Sequence, residues 1–318
     1  MAVLSAVQEA LRGQARSRRG AQGLALLLLV IVTLFLAAVS DRFTSIANLS
    51  NLLIQVAPLL LVALGQTVVI LAGGLDVSVG AVVGLATAIV ASSLPPELAV
   101  PLALAAGAAV GTVNGLLVGP FRLHPIVATL STGSIVTGLA LTLRPTPGGN
   151  VPGFLIASAN ERFLGLPLAV CWSAVGLFAA WWILSRTRLG LHILSLGGST
   201  ANARLNGIPV QRRVIAAYVI CAVFAAAGGL LLAGRISSGD ATVGLPLTVS
   251  SLAAVALGGT QMTGGIGGVL GTLMGSLLLA MLANGMNLMN VSPFLQSILN
   301  GVLLLIAISF TRRRQFGL

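Results

Sequence analysis

Little in this sequence can do acid–base, redox or metal chemistry. Among its 318 residues are six acids, two histidines and two cysteines. There is no carboxylate pair, no nucleophile with a base beside it, and no His or Cys cluster at metal-ligand spacing. Cys171 and Cys221 lie far apart, and His124 and His192 stand singly beside polar loops. No enzyme site, no metal and no cofactor of the chain's own is therefore expected. What remains is one acid, a set of uncharged polar groups and a basic segment.

The acid is Asp76, within GGLDVSVGA (73–81). Gly73, Gly74 and Gly80 let the backbone turn and helices approach closely. An ionisable group among apolar segments is a functional candidate. It can also cap the following helix, whose dipole favours a negative charge, and capping is the preferred reading. The uncharged groups are Gln55, Gln66, Asn114, Thr129, Ser131, Asn284 and Asn287, all inside apolar stretches. Amides and hydroxyls suit a neutral polyol better than an ion, which makes these residues candidates for lining a solute path. Helix packing is the competing role for each.

The basic segment is Ser185–Arg213, SRTRLGLHILSLGGSTANARLNGIPVQRR, with five of the chain's 17 basic residues and no acid. Flanked by apolar spans, it is expected to face the cytoplasm. Gly197 and Gly198 should stop one element, Ser199 or Thr200 should cap a short helix over about 200–206, and Pro209 should end it. Too polar for lipid, this helix reads as a ledge that a cytoplasmic partner pushes. Its candidate contact residues are Gly198, Ser199, Thr200, Ala201, Asn202, Ala203, Arg204, Leu205, Asn206 and Gly207.

The elements that must hold these residues are membrane spans. The chain is 57% hydrophobic and only 7% charged, the composition of an all-α polytopic membrane protein. Its net charge of +11 comes from arginines at span ends rather than from a nucleic-acid surface, so the lipid bilayer is the expected partner and nucleic acid is not. All 17 basic residues are arginine. That excludes the phosphate-binding loop G-x-x-x-x-G-K-[ST], whose lysine is essential; if ATP drives this protein, another chain binds it.

A span needs about 20 apolar residues. Counting on that basis gives about ten spans, or eight if two segments are re-entrant, with both termini cytoplasmic. Residues 1–20 form a basic tail, 21–311 one transmembrane domain carrying the segment 185–213, and 312–318 a second tail. Thirteen arginines then fall inside and four outside, as charge-set orientation requires. The run after Arg19 reads as an anchor rather than a cleaved signal. PTPGGNVPG (145–153) should be an outside loop built from turns. An inverted repeat of five and five spans would match Asn114-Gly115 and Pro125 with Asn284-Gly285 and Pro293, and the break at 73–81 with GGTQMTGGIGG (258–268). Gly264, Gly268, Gly271 and Gly275 should form one smooth face, a seam either within the chain or with a second copy.

Taken together these stretches resemble the membrane permease subunit of bacterial ribose-, xylose- and arabinose-type ATP-binding-cassette importers. GGLDVSVGA (73–81), NGLLVGPFRLHPIVATL (114–130), LGGSTANARLNGIPV (196–210), LGGTQMTGGIGGVLGTLMGSLL (257–278) and NGMNLMNVSPFLQSILNGVLLL (284–305) carry the resemblance, in order, from about residue 50 to 310. The family often has an acid pair before its GGT motif; here Thr248 and Ser250 stand there. The resemblance implies a second permease copy or close paralogue and cytoplasmic ATPase subunits that bind ATP and Mg and press on Ala201–Asn206. It also implies a periplasmic sugar-binding protein docked on the outside loops. The rival readings are a permease for another solute, such as branched-chain amino acids, and an ion-coupled transporter using Asp76.

Overall fold

The computed structural model of the chain describes residues 23–310; the two basic tails expected at 1–20 and 312–318 lie outside them. Helices dominate. α1 (Gly23–Val39) leads to the central α2 (Ile46–Leu71), then α3 (Val79–Val90), α4 (Pro96–Val118) and α5 (Pro125–Leu143). A short α6 (Gly153–Asn160) and a two-stranded hairpin, β1 (Arg162–Phe163) with β2 (Leu166–Pro167), precede α7 (Ala169–Arg186). Next come α8 (Arg188–Gly198), α9 (Thr200–Leu205), α10 (Val210–Ile236), α11 (Leu245–Leu257), α12 (Val269–Leu288) and α13 (Pro293–Phe310).

Six described helices, α2, α4, α5, α7, α10 and α12, are long and apolar enough to cross a membrane, and α1, α3 and α11 are shorter apolar helices. Their burial differs in a way that composition could not reveal. The most apolar window of α2 is 83% buried, against 28% for α4 and for α5 and 22% for α7. Helices this apolar that still expose most of their surface must meet lipid or another chain.

Small residues set the packing. On α4, Ala99, Ala103, Gly107, Gly111 and Gly115 recur every fourth residue and are buried. A Cβ on Gly107 would come 2.8 Å from the Ala226 side chain, and one on Gly115 would come 2.5 Å from Ile215 Cα. This small-residue ladder lets α4 lie directly on α10. Gly271 and Gly275 of α12 meet the backbone of Gly258 and Ala254 in the same way. That seam lies within the chain. Because α12 starts at Val269, Gly264 and Gly268 are loop residues and not part of a helical face.

All twelve residues of α3 are buried, and a helix of that length is only about 18 Å long, shorter than the spans counted on about 20 residues. Non-helical chain packs beside it. Residues 72–78 lead into it, with Leu75 packed on the α11 cluster of Ala253, Ala254 and Val255. In turn, 237–244 runs back along α3: Gly239 sits against Ala91, Ala241 against Gly84 and Gly244 against Gly80. The segment 237–244 therefore meets the first turn of α3 where Gly244 lies against Gly80.

They also share a local structure. Asp76-Val77-Ser78-Val79-Gly80 and Asp240-Ala241-Thr242-Val243-Gly244 read D-x-[ST]-V-G. Asp76 Oδ1 accepts from the backbone N–H and hydroxyl of Ser78, at 2.8 and 2.6 Å. Asp240 Oδ1 accepts from the same two groups of Thr242, both at 2.8 Å. Each turn opens a short helix, α3 or α11. The local turn within 73–81 is thus repeated within 237–245, a match that the glycine-rich stretch 258–268 was expected to provide.

Candidate functional site

The break at 72–78 is fastened from four helices. Gln66 of α2 donates Nε2 to Asp76 O at 2.8 Å, and its Oε1 accepts from the Cys221 thiol of α10. Tyr218 of α10 donates its hydroxyl to Leu75 O at 3.2 Å. Asn114 of α4 donates to Ser78 Oγ at 2.8 Å and faces both Asp76 carboxylate oxygens at 3.5 Å. From α5, Thr129 Oγ1 accepts the Val77 N–H at 3.0 Å, and Thr132 donates to Asn114 Oδ1. Asp76 is fully buried, and its carboxylate closes an Asx turn onto Ser78, the N-cap residue of α3, which itself makes no side-chain cap bond. Buried backbone with no helix partner is tolerable at membrane depth only when satisfied in this way.

The expected path residues therefore separate. Gln66, Asn114 and Thr129 converge on the break, with their polar atoms committed to it. Asn284 is equally buried, but it forms a reciprocal amide pair with Asn48 at 3.0 and 2.9 Å. Asn48 was not singled out in the sequence. Asn287 is exposed and accepts from Gln296 at 2.7 Å. Ser131 is exposed and donates back to Val127 O. Gln55 is half-buried on α2, away from the break.

The ledge is two helices. Thr187 caps α8 by accepting the Gly190 N–H at 3.2 Å. The glycine pair expected to stop this element forms its last turn instead. Of the two expected caps for α9, Ser199 fills the role, accepting the Asn202 N–H at 3.2 Å. α9 stops before Pro209, because Gly207 adopts φ +72°, its N–H bonds Arg204 O, and the Ile208 N–H bonds Ala203 O. That pair of bonds is the glycine-ended helix stop known as a Schellman motif. Ala203 is buried, while Thr200, Ala201, Asn202, Arg204, Leu205, Asn206 and Gly207 are exposed.

Where α8 ends, three backbone segments touch. A Cβ on Gly197 would overlap Leu71 O and Gly265 N. One on Gly264 would lie 2.8 Å from Gly197 Cα and 3.0 Å from Gly73 Cα. The Gly265 N–H donates to Leu71 O at 3.1 Å. Gly73, Gly264 and Gly265 hold positive φ values of +85°, +93° and +75°, a region in which a Cβ is strained. The end of the ledge is thus wedged between the break after α2 and the loop 258–268 before α12. Gly74 lies one step further in, where a Cβ would come 2.7 Å from the Tyr218 hydroxyl oxygen. Thr248 meets the start of α3, its Oγ1 accepting the Gly80 N–H at 3.2 Å. Among the described residues no group of His, Cys, Asp and Glu could hold a metal ion.

Comparison with known proteins gives a consistent answer. Residues 48–308 match the family described as branched-chain amino acid transport system / permease component. The chain is 36% identical over 301 residues to the ribose import permease protein RbsC of Escherichia coli (strain K12), covering 91% of this chain and 93% of that one. It is 36% identical over 294 residues to RbsC of Bacillus subtilis (strain 168), covering 90% and 91%. Against the D-allose transport system permease protein AlsC of E. coli (strain K12) the identity is 28% over 294 residues, 90% of each chain. No solved structure matches. With its six long apolar helices and a match across most of its length, this chain is a multi-pass membrane protein and belongs to the branched-chain amino acid transport system / permease component family.

Proposed function

We propose that this chain is the permease subunit of an ATP-binding-cassette sugar importer in the bacterial inner membrane. Separate cytoplasmic ATPase subunits bind ATP and Mg, and a periplasmic binding protein delivers the sugar. The observation that carries this reading is the seat of α8. Its last turn touches the chain at Leu71 and Gly73 and the loop at Gly264 and Gly265, so a displacement of α8 and α9 would reach both. A lever needs such a seat, and a loop that merely links two spans does not.

Ten apolar helices, α1–α5, α7 and α10–α13, make up the spans, with both termini cytoplasmic. The matched D-x-[ST]-V-G turns support an inverted repeat. α2 reaches its turn at the ledge end and α10 at the opposite end, where Gly148 bridges Gly239. The exposed apolar faces of α4, α5 and α7 leave room for a second permease copy or a close paralogue. The sugar passes at that junction or beside the crossing segments, with Gln55, Ser131 and Asn287 among the polar groups it meets. Gln66, Asn114, Thr129 and Asn284 shape the walls by holding backbone.

A sugar is favoured over a branched-chain amino acid for two reasons. The relatives above are named for ribose and D-allose. The candidate path groups are also uncharged, while the nearby carboxylate, Asp76, is enclosed by its own turn. The test is to purify the chain with its ATPase and binding protein and measure ATP hydrolysis against pentoses, hexoses and branched-chain amino acids. Stimulation by one of the sugars is expected; stimulation by an amino acid alone would reverse the assignment.

A further inference from the structure

Beside the ledge the chain gathers positive charge that it does not neutralise itself. Arg122 from the α4–α5 loop, Arg204 of α9 and Arg212 from the first turn of α10 line one open recess of about 370 Å³, together with Pro209, Val210 and Gln211. All three guanidinium side chains are exposed, and no acid is in the lining. The described acids lie elsewhere. Asp76 is closed into its turn, and Asp41, Glu97, Glu161 and Asp240 sit in or next to the connections after α1, α3, α6 and α10.

The backbone adds to the same field. α10 is 27 residues long, starts behind Pro209 with no side-chain cap, and has no acid in its first turn. Its unbonded N–H groups and dipole leave that end positive. Arg122 is not on a slack loop: its φ is +56°, and it is pinned by Phe121 N–H to Leu116 O at 3.2 Å and Leu123 N–H to Leu117 O at 3.0 Å.

The position identifies the ligand class. The recess is formed where α4, α5 and α10, three candidate spans, reach the same end of the molecule, so it lies at the height of the lipid headgroups. Phe121 and Leu123 flank Arg122 in sequence and are 69% and 46% exposed. Guanidiniums above exposed apolar side chains match a phosphate joined to acyl chains. We propose that this recess binds the phosphate headgroup of an anionic phospholipid, fixing the loops on which the ledge moves. The proposal needs α4, α5 and α10 to be spans but is independent of the transported solute.

The test uses the isolated full chain in detergent, with phosphatidylglycerol or phosphatidylcholine added in equal amounts and bound lipid counted by native mass spectrometry. Wild type should retain phosphatidylglycerol in preference. The Arg122→Gln/Arg212→Gln pair should retain at least about fivefold less, and Arg122→Lys/Arg212→Lys should keep most of it because the charge remains. Equal phosphatidylglycerol retention by wild type and the glutamine pair would overturn the proposal. So would displacement of the lipid by millimolar inorganic phosphate, which would make this a free-anion site. Loss of the purified ATPase subunit from the glutamine pair, with lipid retention unchanged, would make it a protein-docking site instead. Transport plays no part in the measurement, so failure here leaves the importer assignment standing.

Discussion

At Gly197 the Cα hydrogen marks the difference between contact and collision. An added methyl group would meet backbone on two sides, Leu71 O and Gly265 N, and backbone cannot rotate away as a side chain can. Gly197→Ala should therefore push α8 off its seat at a cost of about 1–3 kcal/mol. The expected signature is a complex that still assembles but hydrolyses ATP with its sugar response reduced at least tenfold. Gly198→Ala, one residue on, has open space around it and should behave as wild type. Asp76 gives the second residue-scale prediction. Its carboxylate accepts from Ser78 and faces the Asn114 amide, a role that asparagine can largely fill. Uptake by Asp76→Asn should fall less than about tenfold, whereas Asp76→Ala, which leaves the Ser78 N–H unpaired in the interior, should fall much further. Complete loss in both, at normal expression, would point to an ionic role. The sequence showed that Asp76 and its glycines form a break. It could not show that Gln66, Asn114, Thr129 and Tyr218 converge there, because the four lie on different helices and only the tertiary fold brings them together.

Among the elements, α9 was the most legible. Cap, helix and stop lie within nine residues, Ser199–Gly207, and each is governed by local chemistry. Ser199→Ala should destabilise this helix by about 1 kcal/mol, visible as faster amide exchange at Asn202 and Ala203, while the spans remain unaffected. Arg204→Glu should leave the fold intact, since Arg204 is exposed, yet should uncouple hydrolysis from uptake. Normal coupling in that variant would remove α9 from the drive. The short α3 and α11 were harder to read. An apolar run has the same appearance whether it forms one long helix or a short helix flanked by turns. The α6 and β-hairpin insertion, which follows the turns read at 145–153, owes its form to contacts such as Asn160 Nδ2 to Gly234 O at 2.9 Å, to which local sequence is blind. The matched turns were detectable as D-x-[ST]-V-G at 76–80 and 240–244, but glycine content drew attention to 258–268 instead.

For the whole molecule, the start of α3 meets the start of α11 at Gly80 and Gly244, and the end of α8 is seated against Leu71, Gly73, Gly264 and Gly265. On the proposed importer reading, a ledge movement would reach the chain on both sides of α8, as a two-state rocking motion requires. The proposed fuel is ATP bound by separate subunits, since this sequence has no lysine for a phosphate-binding loop of its own. Reconstitution in proteoliposomes, with sugar uptake followed under an imposed ion gradient and then with ATPase and binding protein added, tests this most directly. The account predicts no uptake by the chain alone under any gradient, and ATP-dependent uptake once both partners are present. Concentrative uptake by the chain alone would contradict it.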